Sequence, residues 1–364
     1  MTDGDVTSDG LRQGPLHAEH RALGARFAPF GGWEMPLSYP AGTLFEHRAC
    51  RTGAAAFDVS HLGTVRVEGP GAHDRIQLAL SNDLDRIGPG RAQYTQLLDD
   101  EDGSVVDDLI VWWVDETTFD VMPNASNTAA VVEALGGRDV TAERAVVAVQ
   151  GPHARELLAA IAPAAAAVPH FGVTRFSFQD HEATAAGTGY TGEDGVECAV
   201  PLPVAVPFWR ALVGAGMTPA GLAARDTLRL EAALPLHGHE LGPGITPLQA
   251  GLGWSVGWDV PEFRGRAALE RERRHGVPRR LVGISTDGRQ PPRRGSTVLR
   301  DGKPVGEVTS GNFSPVLGHG IALALVDTDG APLAPGTPVE LDLRGRRIAG
   351  LVSATPFVRR GTRA

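Results

Sequence analysis

The sequence holds little of several things. It has one lysine, Lys303, two cysteines, Cys50 and Cys198, and no apolar stretch near the length a helix needs to cross a bilayer. Two cysteines make neither a disulfide framework nor a cysteine-based metal site. Both are expected as small buried fillers in a reducing, cytoplasmic compartment. The opening MTDGDVTSDG has no basic n-region and no apolar h-region, which excludes a secretory signal, and it reads as a disordered tail. No G-x-G-x-x-G stands between a strand and a helix, so no dinucleotide fold is expected. A net charge of −9 argues against general nucleic-acid affinity. The positive charge is uneven, with 18 basic against 10 acidic side chains between 261 and 364. That excess reads either as arginine-rich coding bias or as a docking face for an anionic partner.

At 364 residues, 42% hydrophobic and 21% charged, the chain has the material for a large core and two or three domains. The most informative stretch is SVVDDLIVWWV, Ser104 to Val114. Its β-branched and aromatic run predicts a largely buried strand. Alternation puts Val105, Asp107, Leu109, Val111 and Trp113 on one face, and Asp108 on the other with Val106, Ile110, Trp112 and Val114. A buried carboxylate costs several kcal/mol, roughly, unless paired, hydrogen-bonded or wet. The two carboxylates are therefore expected to have separate tasks, with a pocket or a partner compensating.

Along the chain, FAPFGGWEMPLSYP is punctuated by Gly31, Gly32, Pro36 and Pro40 and reads as an ordered loop. Thr43 and Glu46 have capping-box spacing at the start of a helix. A hairpin is expected from Gln93–Leu98 through the turn at Asp102–Gly103 into the central strand. Helices are expected near 72–80, 126–135, 208–215, 222–234 and 264–275. Gly187, Gly189, Gly192 and Gly195 punctuate a tight loop between strands. After Pro278 come five short strand-like runs, which predict a small all-β domain. The mixture predicts an α+β fold rather than a doubly wound parallel sheet.

The blocks FGGWEMPLSY, FDVSHLG, YTQLLDDEDGSVVDDLIVWW, GTGYTGEDGVE, AARDTLRLEAALPLHGHEL, ITPLQAGLGW, FRGRAAL and TSGNFSPVLGHGIALA resemble the glycine cleavage T-protein family, in family order from about Leu16 to Val358. The resemblance implies a three-domain cloverleaf with antiparallel sheets. Its parts are a discontinuous first domain at 12–62 and 151–276, a ferredoxin-like second domain at 63–150, and a jelly-roll-like β domain at 279–364. It implies an aminomethyltransferase that moves a one-carbon unit from the lipoyl arm of the H-protein to tetrahydrofolate and releases ammonia, with no metal.

Carried over residue by residue, the resemblance places Asp107 in the catalytic position. A buried carboxylate there would stabilise a one-carbon cation and manage the folate N5 proton. It likens Glu197 to the carboxylate that accepts the pterin N3–H and 2-amino group together. Tyr94, Tyr190 and Arg225 are likened to folate contacts. Asp108 is left with a structural role. Arg359 and Arg360 lie in a tail that departs from the family pattern. His61 and the pair His237/His239 are metal ligands by residue type, but no third donor lies at a diagnostic spacing. Two other readings fare worse. An accessory protein of iron–sulfur assembly would carry a KGCYxGQ segment, which is absent. A folate-dependent demethylase would come with a flavin oxidase, and no such fingerprint occurs.

Overall fold

The structure, a computed structural model, describes residues 10–328 and 333–361. The tail expected to be disordered therefore lies, apart from Gly10, outside the described residues. The chain forms two compact units, one of Met1–Ala79, Leu84–Tyr94 and Leu109–Asp226, the other of Leu80–Asp83, Thr95–Asp108 and Thr227–Ala364.

The first unit is built on a six-stranded sheet in the order Val173–Phe178, His181–Ala186, Gly195–Pro201, Arg144–Gln150, Ala55–Asp58, Thr218–Ala220. Neighbours are antiparallel except the last pair, which is parallel. Val147, Val149, Val196, Cys198 and Val200 pack against Leu158, Phe208, Trp209 and Leu212. The last three lie on the helix Leu202–Gly214. Both cysteines are free and buried. A second, five-stranded sheet runs Arg91–Leu98, Val105–Asp115, Thr118–Met122, Val65–Glu68, Arg138–Asp139. The expected hairpin is its first pair. No described helix is long and apolar enough to cross a membrane.

Two local expectations are corrected. The glycine- and proline-rich segment is no loop: Arg26–Phe30 and Trp33–Ser38 pair antiparallel around Gly31 and Gly32, whose φ values of 56° and 83° suit a two-residue hairpin turn. Pro36 is tolerated because it faces a break in register, between Arg26 and Phe27. The capping box is also absent. The helix Thr43–Thr52 starts after Gly42, without a side-chain cap. Glu46 is fully buried and accepts instead from Tyr39 N–H at 2.6 Å and Gly221 N–H at 2.9 Å. Two otherwise orphaned buried amides outweigh one local cap.

In the second unit, six strands close into a barrel in the order Arg279–Thr286, Gly320–Asp327, Lys303–Phe313, Thr297–Arg300, Pro338–Leu343, Arg346–Ser353. Arg346–Ser353 closes it by pairing with Arg279–Thr286. Ile284, Val298, Val308, Ala322, Ala324, Leu341 and Val352 fill it. The all-β expectation therefore holds. The strand that sequence reading passed over, Thr297–Arg300, has only four residues.

The role of Glu46 has a direct consequence. Glu46→Ala is expected to lower stability by about 2–5 kcal/mol, since two buried N–H groups lose their acceptor. Thr43→Ala is expected to change it by less than about 0.5 kcal/mol. Urea unfolding midpoints of the two variants check this; equal losses would restore the capping box.

Candidate active site

On the strand Val105–Asp115, residues 105, 107, 109 and 111 are buried and residues 106, 108 and 110 half-buried. The expected alternation is present from 105 to 111; beyond it Trp112 is buried and Trp113 half-buried. Asp107 has no exposed surface, and the Asp108 side chain is 14% exposed. His237 Nδ1 lies 3.9 Å from Asp107 Oδ1 and 4.0 Å from Asp108 Oδ1. The reason lies in the loop after Leu234, which runs along the strand's edge, where Val105 N–H donates to Ile245 O at 2.9 Å. A side chain beside a strand's edge reaches residues of both faces.

That loop is held from beneath. The fully buried Glu240 accepts from Leu236 N–H at 3.0 Å and from Arg229 Nη1 at 3.1 Å. Arg229 also donates to Leu234 O at 3.2 Å and to Ser310 Oγ at 2.8 Å. His239 Nδ1 sits 3.0 Å from Thr309 O, so this nitrogen carries the proton. Within the loop, Gly238 N–H donates to Leu241 O at 2.7 Å. His237 is thus set on a rigid support. Its Nδ1 is buried and has no hydrogen-bond partner. Burial holds the imidazole below its ordinary pKa, with Asp108 pulling the other way.

Asp107, Asp108 and His237 each bring one donor atom within 4.8 Å of the others, the one such grouping of three or more among the described residues. Such a set meets the crude composition of a divalent-cation site. In the sequence His237 pairs most naturally with its neighbour His239. No periodic signal links either to a carboxylate pair some 130 positions earlier.

The first unit assembles a second group. Glu197, 7% exposed, sits on Gly195–Pro201 and accepts from Thr188 Oγ1 at 2.6 Å. The glycine-rich loop is pinned by Gln150, whose Nε2 donates to Thr188 O at 3.1 Å and whose Oε1 accepts from Thr191 Oγ1 at 2.9 Å. A Cβ at Gly189 would meet the Gln150 amide at 2.0 Å, so the backbone approaches that closely only as glycine. Arg225 lies over the Tyr190 ring, 4.9 Å from its centroid. Burial pulls the guanidinium below its usual basicity, and Glu197 is the leading charge that opposes this. Arg225 Nη1 is buried without a hydrogen-bond partner. Tyr190, Glu197 and Arg225 therefore come together in the structure; Tyr94 is half-buried on Arg91–Leu98 in the same unit. Gln150 and Thr188 went unpredicted, because nothing in their spacing marks them.

Arg359 and Arg360 are exposed, on a tail fixed where Val358 N–H donates to Glu231 O at 2.9 Å. His61 is buried, edge-on to Phe30 at 5.4 Å, and its Nδ1 has no hydrogen-bond partner.

Comparison with known proteins bears on the chain as a whole. The family described as "GCVT N-terminal domain" matches residues 16–260, and "Glycine cleavage T-protein C-terminal barrel domain" matches 279–359. The chain belongs to the glycine cleavage T-protein family. Among T-protein relatives, an aminomethyltransferase of Mycobacterium avium (strain 104) is 49% identical over 97% of this chain and 98% of its own length. Another, of Parafrankia sp. (strain EAN1pec), is 46% identical over 96% and 98%. The crystal structure of the glycine cleavage system aminomethyltransferase T from Bartonella henselae superposes with a TM-score of 0.89 at 36% identity, covering 96% of this chain and 98% of that one.

Burial lowers the His61 pKa from 6.5 to about 4. The unfolded chain therefore takes up this proton first, and stability falls as pH drops from 6.5 to 4, by on the order of 3 kcal/mol in all. His61→Asn is expected to show a shallower loss. Urea midpoints at pH 7 and pH 4.5 for both proteins check this; parallel losses would contradict it.

Proposed function

We propose that the chain transfers the one-carbon unit of an aminomethyl group, carried on the lipoyl arm of the H-protein, to tetrahydrofolate. Methylenetetrahydrofolate, ammonia and the dihydrolipoyl protein are the products. The observation that carries the reaction is full-length membership of the T-protein family, with aminomethyltransferases among its relatives. The atoms balance as follows. Two N–C bonds form at the methylene carbon, and its bonds to sulfur and to the amino nitrogen break with their electron pairs. Two protons leave the folate nitrogens for those two leaving groups.

Asp107 is the catalytic carboxylate in this reading. Its charge stabilises the cationic one-carbon intermediate, and it accepts a proton from a folate nitrogen. The support is a fully buried carboxylate in a low-dielectric setting, where a fixed charge acts most strongly. Glu197 receives the pterin N3–H and 2-amino group. Tyr190 offers a flat face, and Arg225, with its unpartnered Nη1, serves a carbonyl or carboxylate oxygen of the substrate. Tyr94 adds a further contact. These groups fit a folate: acceptor, ring and donor are all present. The lipoylated H-protein is the partner, in the cytoplasm, and the family's three-domain division, 12–62 with 151–276, 63–150 and 279–364, is carried over with the function.

The purified chain, given tetrahydrofolate and aminomethyl-loaded lipoyl protein, is expected to release ammonia in step with methylenetetrahydrofolate. No ammonia from a folded, folate-saturated protein would defeat the reading. Glu197→Gln is expected to weaken folate binding by about 10- to 100-fold, the worth of a charge-assisted pair; calorimetric titration showing unchanged affinity would move the pterin elsewhere.

A further inference from the structure

The reaction above releases two protons from folate nitrogens, and Asp107 holds one at a time. A carboxylate with no exposed surface cannot discharge to bulk water directly. His237 is placed to empty it. The His237 imidazole reaches both carboxylates, at 3.9 and 4.0 Å, and its facing nitrogen is unoccupied by any hydrogen bond. These separations are longer than a hydrogen bond, as is common for catalytic contacts before substrate binds. Asp108 is the wetter partner, 14% exposed against none for Asp107.

We propose that His237 is a positioning residue for the transfer: it takes the first proton from Asp107, holds it as an imidazolium between the two carboxylates, and thereby leaves Asp107 ionised for the second. This rests on the catalytic reading of Asp107 and adds a role to Asp108, which stabilises the imidazolium. Each step moves one proton. The folate N–H goes to Asp107 Oδ, then from Asp107 to His237 Nδ1, and from there, by way of Asp108, to the departing amine or thiolate. No oxidant or metal enters.

The arrangement explains the effort spent on the loop. Arg229, Glu240 and Ser310 fix its base, and His239 is tied to Thr309, while His237 alone of the two histidines faces the carboxylates. The charged groups around the His237 imidazole are Asp107 and Asp108 on the strand; Glu240, Arg229 and Arg294 act on His239, two positions on.

The test uses the full chain. His237→Phe keeps the ring's shape and His237→Gln keeps a donor; neither can carry the proton. Both are expected to lose about 10- to 100-fold in kcat, with KM for tetrahydrofolate within twofold of wild type. Unfolding midpoints confirm that the variants fold. Full kcat in either folded variant, or a loss confined to KM, would overturn the proposal. So would loss of wild-type activity on chelation with EDTA, which would give the three side chains to a metal. Imidazole titration by NMR is a readout independent of turnover. The His237 pKa is expected to fall by at least half a unit in Asp108→Asn and in Asp107→Asn. A His237 pKa unmoved by either change would overturn proton sharing even if the wild-type chain released no ammonia, a result that by itself would sink only the transferase reading.

Discussion

A carboxylate without any surface in water governs the second unit. Isolated, the charge of Asp107 would cost several kcal/mol, roughly, and would be relieved by protonation. What stands next to it is an imidazole whose own pKa is lowered by burial, with a second carboxylate the same distance away. Three titratable groups so close share their protons as a set, and no single residue owns the charge. Such a set changes its protonation with little rearrangement, which suits a reaction whose protons must leave two nitrogens in turn.

The support beneath this set is itself ionic. Arg229 and Glu240 are almost wholly buried and pair at 3.1 Å, and the guanidinium's further bonds run to Leu234 O and Ser310 Oγ. Breaking a buried pair by removing one partner costs about 3–5 kcal/mol, because the other charge is stranded. Well-packed apolar residues would hold a core as well. The pair adds direction, since it fixes both the backbone at Leu234 and Leu236 and the barrel strand at Ser310. The glycine-rich loop of the first unit follows the same logic with neutral groups, the Gln150 amide taking the place of the guanidinium.

Much of this was legible in the sequence. The strand 105–115 announced itself by β-branched density, and the barrel by short runs between turn residues. Glu197, Tyr190 and Arg225 were named from the family blocks, and they do meet. What escaped has a common physical character. Glu46 sits at capping-box spacing, yet its carboxylate serves amides of Tyr39 and Gly221, the latter 175 positions away. Local spacing cannot reveal a tertiary acceptor. The hairpin at Gly31–Gly32 was obscured by prolines that a register break accommodates. Strand alternation separated Asp107 from Asp108 correctly, but said nothing of a loop along the strand's edge that reaches both.

The central claim is that Asp107 acts on the one-carbon transfer and not on holding folate. Single-turnover ammonia release by Asp107→Asn, with saturating tetrahydrofolate and aminomethyl-loaded lipoyl protein, tests it most directly. The account predicts a rate lowered by about 10²-fold or more, with folate affinity largely kept. A near-normal rate, or a loss traced wholly to folate binding, would contradict it.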